Sequence, residues 1–386
     1  MYNNLNMPVN PDAPAHSDVR ADYAGRRAAL AGGLPAHGAD AIVVSDLINV
    51  RYLTGFTGSN AAALVWTGDR PHRIATDGRY TAQVAAQAPD LDAVLARDTV
   101  AALLATVADE WTGEAPVRLA FESDAVTVAQ FTELCAAPSA AEVELVPVRG
   151  AVQDLREVKD DGEIALIEQA CRIGDQALAA LLDRGAVAPG RTEREVAREL
   201  EWEMYARGAE AIAFETIVAA GAGSAIPHHR PTGAVLAHGD LVKIDFGAVV
   251  GGYHSDMTRT FVLGEAEPWQ REIYSIVQEA QEAGRAALHP GAPLAAIDAA
   301  AREVITAAGY GEQYVHGLGH GVGLQIHEAP GIGSAASATL RDGATVTVEP
   351  GIYLPGRGGV RIEDTLAVSA SGPRSLTSAP RALQIL

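Results

Sequence analysis

Hydrophobic and polar positions follow two rhythms along this chain. Residues 20–37 carry apolar side chains at helical spacing and predict a helix. Short apolar runs follow at 41–44, 61–66 and 72–75, and later at 117–121 and 143–148. Runs of this length between polar turns predict buried strands, and strands interleaved with helices predict an α/β domain. Further on, Ile164, Ile167, Cys171, Gly174, Leu178 and Leu181 recur at three- and four-residue steps, the period of a long helix. Pro189-Gly190 breaks it. Thr192, with Glu195 three residues on, predicts a capping box that opens a second helix to Arg207. Strands are predicted at 216–219, 241–246 and 258–262. The order then repeats. Trp269, Ile273, Ile276, Val277, Ala280 and Ala287 mark one helix, Ile297, Ala301, Val304, Ile305 and Ala308 another, and strands are predicted at 345–348 and 360–368. Two helices then strands, twice over, predicts two related halves of an α+β domain, with helices covering one face of a mostly antiparallel sheet.

A length of 386 residues predicts two or three domains. Residues 1–17 are rich in Asn, Pro, Asp and Ala and have neither a basic start nor an apolar stretch, so they read as a disordered tail and not as a signal peptide. Residues 18–150 form the α/β domain. The charged run Arg156-Glu157-Val158-Lys159-Asp160-Asp161-Gly162 marks the end of a linker, and the α+β domain spans 156–386. Aromatic residues are only 5% of the chain against 48% hydrophobic, so small aliphatic side chains must fill the cores. A net charge of −20 repels phosphate backbones and anionic bilayers, which excludes nucleic acid as a partner. No apolar run reaches the roughly 20 residues of a membrane span. A cytoplasmic protein without a membrane partner is therefore expected. Two scattered cysteines make no disulfide framework. Cys171 falls on an apolar stripe and predicts a buried thiol, and Cys135 is read as structural too.

The chemistry enters with acidic residues in apolar surroundings. Asp245 sits in Val242-Lys243-Ile244-Asp245-Phe246-Gly247, Glu349 ends Thr345-Val346-Thr347-Val348-Glu349, and Glu363 sits in Val360-Arg361-Ile362-Glu363. Asp256 stands just before Thr258-Arg259-Thr260. A buried carboxylate without a partner is strongly disfavoured. Singly, each is explained by a salt bridge. Together, four carboxylates match the charge of two divalent cations, and such ions take oxygen ligands with imidazole beside them. The histidines point the same way. His316-Gly317-Leu318-Gly319-His320-Gly321-Val322-Gly323 is too rich in glycine for a helix and predicts extended backbone packed closely against something. His316 and His320 would then share a face, with His327 shortly after. His228 and His229 follow Pro227, one as a candidate proton carrier and the other as a surface residue.

These segments resemble a known family. Pro227-His228, Ile244-Asp245-Phe246-Gly247, Ser255-Asp256-Met257-Thr258-Arg259-Thr260, the His316–Gly323 glycine segment, Val348-Glu349-Pro350-Gly351 and Arg361-Ile362-Glu363-Asp364 resemble the "pita-bread" metallopeptidases. The resemblance is strongest to their Xaa-Pro branch, aminopeptidase P and prolidase, as found in actinobacterial cytoplasm. Asn49-Val50-Arg51-Tyr52-Leu53-Thr54-Gly55-Phe56-Thr57-Gly58-Ser59 and Thr76-Asp77-Gly78-Arg79-Tyr80 are similar to the N-terminal domain of creatinases and prolidases.

The resemblance implies a division of labour. His320 and Glu349 would hold one metal, Asp245 the other, and Asp256 and Glu363 would bridge the two. Mn²⁺ is the expected ion, with Co²⁺ or Zn²⁺ fitting the same ligands. His228, His327 and Glu349 would be catalytic, and His316, Arg361 and Tyr353 would bind substrate. No role follows for His229, while Arg51 and Arg79 are either anchors for a substrate carboxylate or ordinary surface arginines. The implied substrate is a proline-containing peptide cleaved at its N-terminal X-Pro bond, as in aminopeptidase P, by a homodimer. A prolidase restricted to dipeptides is the alternative. A non-catalytic binding module of the same fold would have lost its ligands, a methionine aminopeptidase would lack the N-terminal domain, and a creatinase would lack the metal ligands.

Overall fold

The computed structural model describes residues 21–386, so the expected tail at 1–17 lies outside the described residues. The first helix, α1 (Tyr23–Gly33), is capped by the Asp22 side chain and continues into a tighter turn, Leu34–His37. There follow β1 (Ala41–Val44), α2 (Leu47–Thr54), β2 (Ala61–Trp66), β3 (Arg73–Thr76), α3 (Thr81–Gln87), β4 (Asp92–Leu95), α4 (Thr99–Glu110), β5 (Val117–Glu122), α5 (Val128–Ala136) and β6 (Val143–Val148). The six strands form one mixed sheet in the order β4-β3-β2-β1-β5-β6. Central β1 runs antiparallel to β2 and parallel to β5. Its residues are all buried, as the unbroken run Ala-Ile-Val-Val predicts for a strand covered on both faces. The sequence reading missed the short, mostly exposed β4, which has no apolar alternation to reveal it.

A short helix, α6 (Gln153–Arg156), leads to α7 (Asp161–Asp183) and α8 (Glu193–Ala206). Both open on reciprocal capping boxes. In α8 it is the predicted Thr192–Glu195 pair, and in α7 it is Asp160 with Glu163. Next come β7 (Ala211–Ile212), β8 (Ile217–Ala220), β9 (Leu241–Phe246), β10 (Ala248–Val250), β11 (Tyr253–His254) and β12 (Met257–Val262). The pattern then repeats with α9 (Pro268–Ala286), α10 (Leu294–Ala307), β13 (Gly319–Gly321), β14 (Glu328–Ile332), β15 (Thr345–Val348), β16 (Gly351–Leu354), β17 (Gly358–Arg361), β18 (Asp364–Ala367), β19 (Arg374–Ser375) and β20 (Gln384–Ile385).

Each half packs its helix pair on its own strands. Ala170, Leu178, Val196 and Leu200 of α7 and α8 share a core with Val242, Ile244 and Phe261. Ile273, Val277, Ile297 and Ile305 of α9 and α10 share another with Val346, Val348 and Leu366. Burying each such side chain contributes about 1.5–3 kcal/mol, so both helix pairs are fixed by their apolar stripes. The main antiparallel pairs are β8–β9–β12 in the first half and β13–β15–β18 in the second. The strand predicted at 360–368 is in fact two. Its chain leaves β17, paired with β16, and enters β18, paired with β15, and the crossing residues Ile362 and Glu363 belong to neither strand.

Candidate metal centre

Strand edges and breaks deliver the acidic residues to one cavity of about 270 Å³ between the two halves. Asp245 points from β9, Asp256 from the step between β11 and β12, Glu349 from the end of β15, and Glu363 from the β17–β18 crossing. His320 comes from the middle of β13. All five line the cavity, with His228, His229, His327 and Arg361 around them. Donor atoms of Asp256, His320 and Glu363 lie within 4.8 Å of one another.

The glycines beside His320 have the packing role the sequence suggested. A Cβ on Gly319 would stand 2.1 Å from the Thr347 carbonyl oxygen, and one on Gly321 would stand 2.0 Å from that of Ala329. Only glycine lets β13 lie this close to β14 and β15. The strand is shorter than predicted, however. His316 precedes it and its ring does not line the cavity. His316 donates from Nδ1 to the Gly317 carbonyl at 2.8 Å, which leaves Nε2 to accept from the Tyr353 hydroxyl at 2.9 Å. That hydroxyl in turn accepts from Arg361 Nη1 at 3.0 Å, and Arg361 Nη2 donates to Asp245 Oδ2. His316 and Tyr353 therefore stand behind the cavity wall and reach it through Arg361.

The electrostatics of the site call for cations. Burial, and then the charges of Glu363, Asp245 and Glu349, push the Asp256 carboxyl well above the usual carboxylate range. Burial, then Glu349 and Asp245, do the same to Glu363. Glu349 is pushed up to about 7, chiefly by burial. The histidine is complementary. Burial brings His320 down to about 4, so its ring is neutral at pH 7. Nδ1 donates to the Gly321 carbonyl at 3.0 Å, which turns the Nε2 lone pair toward Asp256 Oδ2 and Glu349 Oε1, each 3.5 Å away. A lone pair facing carboxylate oxygens is repulsive unless a cation lies between them. Asp245 Oδ1 carries the same message, since it is buried and has no hydrogen-bond partner among the described residues. Buried polar atoms are almost always paired, and an oxygen that is not, beside three other carboxylates and an imidazole nitrogen, suits a divalent metal ion.

The backbone behind the ligands is fixed by a second buried network. Asp364, fully buried, turns away from the cavity and accepts from Arg259 Nη2 at 2.7 Å, Gln281 Nε2 at 2.8 Å, Thr377 Oγ1 at 2.8 Å and Arg381 Nη1 at 2.9 Å. Arg259 Nη1 also donates to the carbonyl of Glu363, while Thr258 Oγ1 donates to the Glu363 carboxylate at 2.6 Å.

Sequence reasoning missed Lys243. It is fully buried on β9, two residues before Asp245. Its Nζ donates to the carbonyls of Ile226 at 2.6 Å and Pro227 at 3.1 Å, and lies 5.1 Å from the centre of the Tyr353 ring. It thereby anchors the segment carrying His228. A lysine inside the apolar run Leu-Val-Lys-Ile was the available signal. His229 lines the cavity, yet its Nε2 bonds to buried Glu193 at 2.9 Å, which also accepts from the Thr232 backbone N–H at 2.8 Å. His229 thus ties the segment to α8. His327 faces the cavity with its ring 4.4 Å from that of His320, edge to face. Arg51 donates to the Gly251 carbonyl at 2.7 Å and Arg79 to Asp77 at 2.8 Å, and neither lines the cavity.

Comparison with known proteins agrees with this geometry. Residues 165–370 match the family described as metallopeptidase family M24, and residues 26–158 match the creatinase/prolidase N-terminal domain. An uncharacterised peptidase of Bacillus subtilis strain 168, YqhT, is 40% identical over 90% of this chain and 96% of its own length. Among solved structures, an Xaa-Pro dipeptidase from Bacillus anthracis superposes with a TM-score of 0.89 at 37% identity, covering 95% of this chain and all of the other. An X-Pro aminopeptidase from Thermotoga maritima superposes with a TM-score of 0.83 at 34% identity, covering 92% and 98%.

Proposed function

This chain belongs to metallopeptidase family M24, joined to a creatinase/prolidase N-terminal domain, and from that premise we propose that it hydrolyses the bond between an N-terminal residue and a following proline. One observation carries the proposal. Four carboxylates and a neutral imidazole converge on one cavity, with the buried Asp245 Oδ1 left without a protein partner among the described residues.

Asp245, Asp256, His320, Glu349 and Glu363 would hold two divalent cations, Mn²⁺ by preference. Such ions polarise a carbonyl and bring the pKa of water toward neutrality. Every other task falls to the chain. Glu349, at the cavity wall, would accept the proton of the attacking water. His327, kept neutral because burial lowers its pKa, and His228 donate hydrogen bonds to the oxygen that gains charge. Arg361 holds Asp245 in place, and Tyr353 and His316 hold Arg361. Phe214, Ile217 and Ile326 supply apolar wall for a proline ring. The ring has no N–H to offer, so shape must recognise it.

Action on longer peptides is the first reading. Restriction to dipeptides is the second, and the higher identity and TM-score of the Xaa-Pro dipeptidase favour it. The test is to assay Gly-Pro and Arg-Pro-Pro with Mn²⁺ while measuring bound metal, in the native protein and in Asp256→Asn. About two metal ions per chain with cleavage of both peptides is expected of an aminopeptidase, and cleavage of Gly-Pro alone of a dipeptidase. Asp256→Asn should keep the fold and lose metal and more than about 99% of the activity. Full activity in Asp256→Asn, or no cleavage of either peptide by the native protein, would sink the proposal.

A further inference from the structure

Two sequence features lie outside the peptidase chemistry, the Asn49 segment of the N-terminal domain and the charged run that begins at Arg156. The fold buries Asn49 of the first and Arg156 and Lys159 of the second, and joins the two segments. Asn49, fully buried in the first turn of α2, donates from Nδ2 to Glu122 Oε1 at 2.6 Å. The other oxygen of Glu122 accepts the backbone N–H groups of Ser45 at 2.7 Å and Asp46 at 2.8 Å. Asn49 Oδ1 accepts from Arg156 Nη1 at 2.7 Å. Arg156 ends α6, inside the stretch 26–158 that matches the N-terminal domain; it is 3% exposed, and its second terminal nitrogen crosses to the catalytic domain. There it donates to Gln325 Oε1 at 2.8 Å and to the Glu328 carboxylate. Lys159 Nζ meets the other Glu328 oxygen at 3.1 Å.

Glu328 is the residue after His327 and opens β14, where its backbone pairs with Gly321, next to His320. Its Oε1 also accepts the Gln325 backbone N–H at 2.9 Å, closing the turn between β13 and β14. That turn passes so close to the carboxylate that a Cβ on Gly323 would stand 2.6 Å from Oε2. Leu324, at the turn, is buried in an apolar cluster that includes Val50 and Leu53 of the N-terminal domain. The turn that joins the His320 strand to a cavity histidine is thus gripped through Glu328 by the Arg156 guanidinium, with Lys159 on the second carboxylate oxygen.

We propose that Arg156 is a positioning residue, which grips Glu328 from the N-terminal domain and so sets residues 321–328 and the poses of His320 and His327. The N-terminal domain then completes the catalytic domain from within the same chain. Removing Arg156 leaves the buried Glu328 carboxylate with Lys159 on one oxygen only and frees the Gln325 side chain, and the turn is the part free to respond. The kinetic arm of the test rests on the peptidase reading, and the exchange arm does not.

The experiment compares full-length Arg156→Met, Arg156→Lys and Arg27→Met with the native chain. Arg27 is equally buried, but its partners, the Leu53 carbonyl and Asp90, stay inside the N-terminal domain. In metal-free protein, amide exchange across residues 321–332 should speed up about tenfold or more in Arg156→Met, by an intermediate factor in Arg156→Lys, and stay native in Arg27→Met. With Mn²⁺ present, kcat for the cleaved peptide should fall about tenfold or more in Arg156→Met, with KM changed far less. Should Arg156→Met not accumulate, Glu328→Gln carries the same expectations. Native exchange in the Arg156 or Glu328 variant, or an equal rise in Arg27→Met, overturns the proposal. A native protein that cleaves no X-Pro peptide removes the peptidase reading, and the exchange arm still decides whether Arg156 holds the turn.

Discussion

Glu349 shows how the acidic cluster and pH are linked. Without metal, burial raises it to about 7, and burial with neighbouring charge raises Asp256 and Glu363 well above their ordinary range. Glu349 therefore holds a proton part of the time near neutrality in the metal-free protein, the upward shifts of Asp256 and Glu363 act in the same direction, and a metal ion must displace such protons. The sign follows directly, since lowering pH fills the sites with protons and weakens metal binding. His320, at about 4, does not compete above pH 5. Affinity should fall by about tenfold per pH unit for each proton displaced. Titrating Mn²⁺ into chelator-treated protein at pH 5.5 and 8, in buffers of different ionisation enthalpy, would show weaker binding and proton release at the lower pH. Equal affinity at both values with no proton release would mean that the carboxylates are already ionised. The convergence of these acidic residues on one cavity was legible in sequence at this scale, because an acidic residue in an apolar run stands out. Lys243 stands out by the same rule and was passed over, because its partners are backbone carbonyls that no side-chain pattern reports.

The elements were legible where local chemistry sets them and less so where pairing does. Thr192 and Glu195 announced α8 because a capping box is written within four residues. The glycine segment announced close backbone approach, though not the short length of β13, which depends on where β14 and β15 end. Residues 360–368 read as one strand because their apolar run is continuous. The break at Ile362-Glu363 comes from a change of pairing partner, a tertiary event. Asp364, just beyond the break, holds β18 in place through Arg259, Gln281, Thr377 and Arg381. Asp364→Ala leaves the buried Arg259 guanidinium without its carboxylate. It should destabilise the protein by about 3–5 kcal/mol, read as a fall in urea midpoint with unchanged slope. A loss below about 1 kcal/mol would show that the network is dispensable to folding.

Over the whole molecule, the two-domain plan was readable from strand–helix alternation and the charged run at 156–162, while the seam between the domains was not. Arg156 and Glu328 are far apart in sequence and each reads as a surface charge. The seam is apolar as well as polar. Val50, Leu53, Ile167, Cys171, Leu324 and Leu376 belong to one buried cluster spanning both domains. Among the described residues no helix is long and apolar enough to cross a membrane. Joined by that cluster, the domains should unfold together. In urea, far-UV circular dichroism and tryptophan fluorescence, the latter reporting on Trp66 and Trp111 in one domain and Trp202 and Trp269 in the other, should give coincident transitions. Two separated midpoints would show that the seam does not couple them.

The spacing of the ligands bears on how the protein acquires its metal. Asp245 and Asp256 come from the first half of the catalytic domain, and His320, Glu349 and Glu363 from the second. A nascent chain emerging from the ribosome carries no complete site until Glu363 has been added and both halves have closed on each other. With this proposed ligand set, metallation would follow folding, and the ion would be drawn from the free metal pool wherever folding finishes.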